Sequence, residues 1–364
     1  MVQNKGVTMM TKKHCAYVGI PLLALLLVVG STLGFIFYYK TPEASPFRQK
    51  MVIDHDGGAD DAYAITMALQ FEKYFYGPNV VALTTTYGNV NLTQAITNSG
   101  RILKLVDRSD VPIYSGACRS LIEGIPTDNY FGYDGLGDNE YVEDAPVILQ
   151  KEHSAIALIE LSKKYKGELV VVALGPLTNI ALAIRLDPHF ISRLAHLYVG
   201  GGHLYGEGYL EPEFNAEMDV EAYYIVADSA QVDKVTFVPF SQVYKTLSIS
   251  NEWRINVFGA INSPIVRELT RYERISLPSS PTWTLLDPVV MAIALDERIV
   301  TEFKKSYNSI ITCGEQRGVN INNLNPSNPN SRIVYSADLQ IYKDFLITVY
   351  SAGAMPTMGN YQTS

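Results

Sequence analysis

One stretch of the sequence decides how the chain folds: Val52-Ile-Asp-His-Asp-Gly-Gly-Ala-Asp-Asp-Ala-Tyr-Ala-Ile65. The apolar residues 51–53 predict a short buried strand, the two glycines predict a tight turn, and the spaced apolar residues after them predict a helix that enters the core. The four aspartates Asp54, Asp56, Asp60 and Asp61 therefore lie at the carboxyl end of a strand, where open α/β sheets bind their ligands.

Crowded carboxylates repel one another unless they are protonated or bridged by a cation. Their oxygen atoms are the ligands that hard ions such as Ca²⁺ and Mg²⁺ prefer. Acidic residues at the start of a helix also cap it and interact with its dipole, but one or two would serve that purpose. Four aspartates in eight residues favour a metal or catalytic site over helix capping alone.

The first fifty residues differ from the rest of the chain. Residues 16–39 carry no charge and lie between Lys13 and Lys40. Their length fits the roughly 20 residues that span a bilayer better than the ~7–15 residues of a signal-peptide core. The pattern predicts a tail at 1–15, a transmembrane signal anchor at 16–39, a linker at 40–50 and one domain at 51–364 outside the cytosol. The small residues 30–32 leave a cleaved signal peptide, and hence secretion, as the alternative.

Composition and periodicity set the class of the domain. The net charge of −8 and the lack of a basic stripe argue against a nucleic-acid partner, and three cysteines do not make a disulfide framework. Short β-rich runs at 80–86, 169–174 and 195–199 alternate with helical stretches at 92–106 and 177–186. This alternation predicts an α/β fold with a mostly parallel, Rossmann-like open sheet flanked by helices.

Further polar motifs occur at or near the ends of the predicted strands. They are Thr84-Thr-Thr-Tyr-Gly-Asn89, Leu174-Gly-Pro-Leu-Thr-Asn179, Glu213-Phe-Asn215 with Asp219-Val-Glu-Ala222, and Trp283-Thr-Leu-Leu-Asp287. With the aspartate stretch they resemble, in order along the chain, the nucleoside hydrolases, calcium-dependent enzymes that cut the N-glycosidic bond of ribonucleosides. The resemblance runs from Val52 to about Gly318. An aspartyl phosphatase is a distant alternative, because that class lacks the adjacent pair Asp60 and Asp61.

The resemblance implies a role for individual residues and a homo-oligomeric assembly. The implied Ca²⁺ ligands are Asp56, Asp61, the Leu174 carbonyl and Asp287. Asp56 would also be the base that takes a proton from the attacking water, while Asp54 would orient the loop. The implied contacts to the ribose are Asp60, Asn89, Glu213, Phe214, Asn215 and Asp287.

The pocket for the base departs from the family pattern. Phe131 and Leu286 stand where many members carry a histidine, and neither can protonate a leaving base. Purine-specific relatives stack the base between aromatic rings instead, so purine ribosides are the expected substrates. Candidates for this pocket are Phe131, His203, Tyr209 and Trp283, together with Tyr130, although aromatic residues are more often core or surface. The alternative is a degenerate member that binds calcium and ribosides, or a protein partner, without efficient turnover.

Overall fold

The apolar runs of the sequence form strands of one central sheet. The computed structural model describes residues 48–139, 145, 147–204 and 211–354. The strands are β1 (Lys50–His55), β2 (Asn79–Thr85), β3 (Ile113–Ser115), β4 (Leu169–Ala173), β5 (His196–Gly200), β6 (Val235–Val238), β7 (Ile249–Ser250), β8 (Thr282–Trp283), β9 (Val300–Ile310), β10 (Asn320–Leu324) and β11 (Ser331–Ala337).

Within the described residues, nine of these strands form the sheet in the order β10-β9-β11-β6-β5-β4-β1-β2-β3. The seven strands from β11 to β3 pair in parallel, and β9 pairs antiparallel with both β11 and β10. Strands β7 and β8 form a separate antiparallel pair. The prediction of a mixed α/β domain with a central, mostly parallel sheet is confirmed.

Helices connect the parallel strands and cover the sheet. They are α1 (Ala59–Phe75), α2 (Leu92–Leu105), α3 (Ser154–Lys164), α4 (Thr178–Leu186), α5 (Phe190–Arg193), α6 (Phe214–Met218), α7 (Val220–Asp228), α8 (Phe240–Leu247), α9 (Asn251–Trp253), α10 (Pro264–Tyr272), α11 (Leu286–Leu295) and α12 (Leu339–Ser351). A π-helical turn at Arg254–Phe258 continues α9, and short 3₁₀ turns occupy Leu277–Ser279 and Glu297–Ile299.

Burial explains why β1 and α1 have so little polar surface. Every residue of β1 after Lys50 is buried, as expected for a central parallel strand covered on both faces. Helix α1 is buried along most of its length, because it packs against α10, α11 and α12 as well as against β2. Of the two aspartates in its first turn, Asp61 is therefore buried and Asp60 is half-buried.

The predicted membrane anchor is corrected by the structure. Among the residues that the structure describes, no helix is both long and apolar enough to cross a bilayer. Residues 16–39, on which the prediction of an anchored domain rested, lie outside the described residues.

The Asn179 side chain, in α4, forms hydrogen bonds to β1, to β2 and to the segment after β3, at the edge where the aspartates lie. Its Nδ2 donates to Asp54 Oδ1 at 2.9 Å and to the Thr85 carbonyl at 3.0 Å, and its Oδ1 accepts from the Ala117 amide at 2.9 Å. Asp54 Oδ1 also accepts from Thr84 Oγ1 at 2.6 Å. All of these side chains are fully buried. Hydrogen bonds from β2 and from α4 thus hold Oδ1 of the Asp54 carboxylate.

We expect Asn179→Ala to lower the free energy of unfolding by about 3 kcal/mol, because it leaves several buried hydrogen-bonding groups without partners. Asn323→Ala, at an exposed position of edge strand β10, should change it by less than about 0.5 kcal/mol. Urea denaturation of both variants measures the difference. Equal losses would contradict this account of Asn179.

Candidate functional site

A cavity of about 370 Å³ opens at the carboxyl edge of the sheet. This volume lies in the range of roughly 300–1,000 Å³ found for small-molecule sites. The predicted site residues that line the cavity are Asp56, Asp60, Asn89, Phe131, Leu174, His203, Glu213, Phe214, Asn215 and Asp287. Parallel strands bring these distant residues together because their carboxyl ends share one edge of the sheet.

Close backbone approaches hold Asp56 in place. Its Oδ2 accepts from the Asn89 amide at 2.8 Å. A Cβ on Gly88 would overlap this carboxylate, and a Cβ on Gly58 would overlap the Asn89 side-chain oxygen. The two glycines therefore let the loop after β2 close on the loop after β1, which brings Asp56 and Asn89 side by side.

Asp60, Asp61 and Asp287 form a carboxylate cluster, in which one oxygen from each lies within 4.8 Å of the others. Asp61 Oδ2 accepts from the Gly58 amide at 2.7 Å, whereas its buried Oδ1 accepts from no protein donor in the described part of the chain. Burial, and then repulsion from Asp287 and Asp60, raise the pKa of Asp61 well above the usual carboxyl value. Burial and the charges of Asp60 and Asp56 do the same for the pKa of Asp287.

These features fit a hard metal ion. A divalent cation would offset the repulsion between the carboxylates, and the buried Asp61 Oδ1, which accepts no hydrogen bond within the described residues, offers it a ligand atom. The compact cluster contains Asp60, where the sequence predicted Asp56 as the third aspartate ligand. Asp56 is nevertheless close, since the charge of Asp61 adds to burial in raising the pKa of Asp56.

The Leu174 carbonyl directly follows β4 at the same edge and accepts from Asn215 Nδ2 at 2.7 Å. A carbonyl oxygen has two lone pairs, so this bond leaves one available to a cation. Glu213 is fixed by the Gly202 and Ala216 amides, which donate to its Oε2 at 2.8 and 3.1 Å. Burial still raises the pKa of Glu213 to about 7. Backbone amides thus hold the Glu213 side chain at the cavity, and backbone carbonyls hold the Asn215 side chain there.

Aromatic rings also form part of the cavity wall. Tyr130 stands edge-on to the buried Phe131, with ring centroids 4.8 Å apart. His203 lies 6.1 Å from Phe240, again between centroids, and burial lowers the pKa of His203 to about 4. Its imidazole is therefore neutral near pH 7. Phe214 also lines the cavity.

Two further residues, Trp283 and Tyr209, were predicted for the base pocket. Trp283 does not line the main cavity but is buried against Tyr63 and Phe258, with its indole N–H directed at Glu273. The structure thus places Trp283 outside the main cavity, and a contact between Trp283 and the base stays a prediction. Tyr209 lies outside the described residues.

Several cavity residues were not predicted, namely Asp128, Pro212, Phe240, Thr284, Leu285 and Leu286. Asp128 belongs to a loop that Thr127 pins to the Asn89 carbonyl with a bond of 2.6 Å. Phe240 begins α8 directly after β6, so the rule that ligands bind at strand ends could have identified it. The loop contact of Asp128 has no comparable signal in the sequence.

A family model and several known proteins match the part of the chain that forms the cavity. The family model described as inosine-uridine preferring nucleoside hydrolase matches residues 51–344. A probable uridine nucleosidase 2 of Arabidopsis thaliana is 36% identical over 184 residues, which is 49% of this chain and 56% of that protein. The chain thus spans a little more than half the length of the plant relatives it matches.

Two further relatives match over more of their length. A pyrimidine-specific ribonucleoside hydrolase of Escherichia coli is 29% identical over 319 residues, 81% of this chain and 96% of that protein. A solved plant nucleoside hydrolase has a TM-score of 0.74 and is 26% identical, covering 84% of this chain and 100% of that one. The likeness therefore includes the whole fold described above.

We expect Gly88→Ala to weaken divalent-cation binding by about tenfold, because the new methyl group displaces Asp56 and the Asn89 loop beside the carboxylate cluster. The rise in melting temperature on adding Ca²⁺ measures this. Gly314→Ala is the control: its Cβ meets nothing within 4 Å, although its φ of +78° makes the change cost about 1 kcal/mol of stability. An unchanged response to Ca²⁺ in Gly88→Ala would contradict the proposed fit.

Proposed function

This chain belongs to the inosine-uridine preferring nucleoside hydrolase family, and on that premise we propose that it hydrolyses the N-glycosidic bond of ribonucleosides, with a preference for purine ribosides. The residues that line the cavity support this proposal most directly. Carboxylates that fit a cation and aromatic rings line the same cavity. A sugar and a flat base require these two surroundings next to each other.

The ribose end is the polar side of the cavity. Asp60 reaches it from the first turn of α1 and Asn89 from the loop after β2, and Glu213 and Asn215 reach it from the start of α6. Hydrogen bonds to backbone groups fix Glu213 and Asn215 before any substrate arrives. Side chains held in this way bind hydroxyl groups with little loss of conformational entropy.

Calcium is the cation that this donor set supports best. The candidate ligands are carboxylate oxygens of Asp60, Asp61 and Asp287, which form the cluster, with the Asp56 carboxylate and the carbonyl oxygen of Leu174 lining the same cavity. Ca²⁺ accepts six to eight oxygen ligands in flexible geometry, whereas Mg²⁺ demands an octahedron and keeps several waters. When bound, the ion would make the attacking water more acidic, and Asp56 would accept the proton.

The base end supports stacking in place of acid catalysis. His203 is the one histidine among the described residues that line the cavity, and its lowered pKa keeps it neutral at pH 7. Stacking between rings such as Phe131 and Phe240 favours an electron-poor or protonated base, and a purine offers the larger stacking surface. Two relatives bear the names uridine nucleosidase and pyrimidine-specific hydrolase. The purine preference is therefore a property we infer from this cavity and not from those names.

Base release from inosine, guanosine, adenosine, uridine and cytidine tests the proposal, with Asp56→Asn as the inactive control. We expect purine ribosides to be cleaved at least about tenfold faster than pyrimidine ribosides, the scale of one missing acid catalyst. Deoxyribosides should react far more slowly, because Asp60 then has no 2′-hydroxyl to hold. Appearance of free base by chromatography gives kcat/KM for each.

Uridine cleaved as fast as inosine would overturn the purine preference and would make His203→Gln the next variant to assay. No release from any nucleoside, with calcium bound and the fold intact, would instead support the alternative of a member that binds ribosides without turnover.

The calcium site has a separate test. We expect purified protein to retain about one Ca²⁺ per chain by elemental analysis, and Asp61→Ala to retain none, because a buried carboxylate is lost from an oxygen-only site. Asp228→Ala, which removes an exposed acid at the end of α7, should retain Ca²⁺ like the wild type. A wild-type protein without calcium, whose melting temperature ignores added Ca²⁺, would contradict this assignment.

A further inference from the structure

A buried network of charged and hydrogen-bonded side chains surrounds Glu273. Glu273 Oε2 accepts from the Tyr63 hydroxyl at 2.7 Å and from Arg254 Nε and Nη2 at 2.9 and 2.7 Å. Glu273 Oε1 accepts from the indole N–H of Trp283. The Glu273, Arg254 and Tyr63 side chains are at most 1% exposed. One carboxylate therefore joins a helix, a turn and a strand.

The network connects the two chain segments that carry the cluster. Tyr63 lies in α1, one helical turn after Asp60 and two residues after Asp61. Trp283 ends β8, four residues before Asp287. The segments are far apart in sequence, and the two oxygens of Glu273 hold one of them each.

Stability alone does not call for this ion pair. Burying both charges costs desolvation energy, and apolar residues of similar size often replace such pairs with no loss of stability. The rings around it already pack as an aromatic cluster, with Tyr63 and Trp283 5.4 Å apart and Phe258 and Trp283 5.9 Å apart between centroids. An apolar core could fill this place, but it would not fix the direction of hydrogen-bonding groups.

The network also borders the wall of the main cavity. Glu273 and Trp283 line a small second cavity together with Tyr130, Thr284 and Leu285, and the last three residues line the main cavity as well. A shift of Trp283 would therefore move the chain that leads into Asp287.

We propose that Glu273 is a positioning residue: its carboxylate fixes α1 relative to residues 283–287 and so keeps Asp60 and Asp61 within ligand distance of Asp287. This inference rests on the proposed metal site. Glu273 acts through Tyr63 on one side and through Trp283 on the other, and touches neither the ion nor the substrate.

The test compares two buried tyrosines of the same aromatic cluster. Tyr63→Phe removes the hydrogen bond that the hydroxyl donates to Glu273 and the one that it accepts from Arg254 Nη2, and keeps the ring. Tyr350→Phe is the matched control, because the Tyr350 hydroxyl bonds Thr66 Oγ1 and the Tyr63 carbonyl but not Glu273. Calorimetry gives the Ca²⁺ dissociation constant, and thermal unfolding in a chelator gives the stability of the metal-free fold.

We expect Tyr63→Phe to weaken Ca²⁺ binding by about tenfold, the lower end of the effect of outer-shell partners on metal sites. Tyr350→Phe should leave Ca²⁺ affinity unchanged, while both variants lower the melting temperature of the metal-free protein to a similar extent. Glu273→Gln, which no longer neutralises Arg254, should weaken Ca²⁺ binding further if it folds; Tyr63→Phe decides the test in either case.

Equal Ca²⁺ affinity in the wild type and Tyr63→Phe would overturn the positioning role and leave the proposed function standing. Equal losses of affinity in the two tyrosine variants would also overturn it, because a general loosening of the core would explain them. A wild-type protein that binds no divalent cation would overturn the metal site and this inference together. A protein that binds Ca²⁺ but releases no base fails only the proposed function.

Discussion

Repulsion between buried carboxylates is the interaction on which the rest of the site depends. Asp56, Asp61 and Asp287 are at most 2% exposed, and each lies close enough to another to raise its pKa. Little water surrounds these charges, so they repel one another strongly. The surrounding chain must therefore hold the carboxylates together. The glycines, the backbone amides and the Glu273 network can each be understood as a part of that restraint.

These contacts fix the loops and side chains of the site before any ligand binds. Gly58 and Gly88 let two loops approach until the Asn89 amide reaches Asp56. Asn179 locks Asp54 into the sheet, so that this carboxylate supports the strand end and leaves the cavity to its neighbours. Ligand groups held in this way need little rearrangement to bind a cation, which is the general advantage of a preorganised site.

The two ends of the cavity are built by different parts of the chain. The polar residues come mostly from the ends of parallel strands and the segments that follow them, where open α/β sheets bind their ligands. The aromatic end comes from the loop around Tyr130 and Phe131, and from Phe240 at the start of α8. Loops vary more freely than strand ends, so the binding of the base can change while the binding of the sugar is kept.

The sequence by itself determined the α/β class, the strand that leads into the aspartates and most residues of the polar end, because these follow from periodicity and from short motifs whose members are neighbours in the chain. It also suggested a membrane segment at 16–39, which the described structure does not support. Only the tertiary structure decided that Asp60 joins Asp61 and Asp287, that Asp128 and Phe240 line the cavity, and that Trp283 lies in the core against Glu273. Contacts of this kind join residues that are far apart in sequence. They depend on how helices and loops pack around the sheet, and local sequence patterns do not predict that packing.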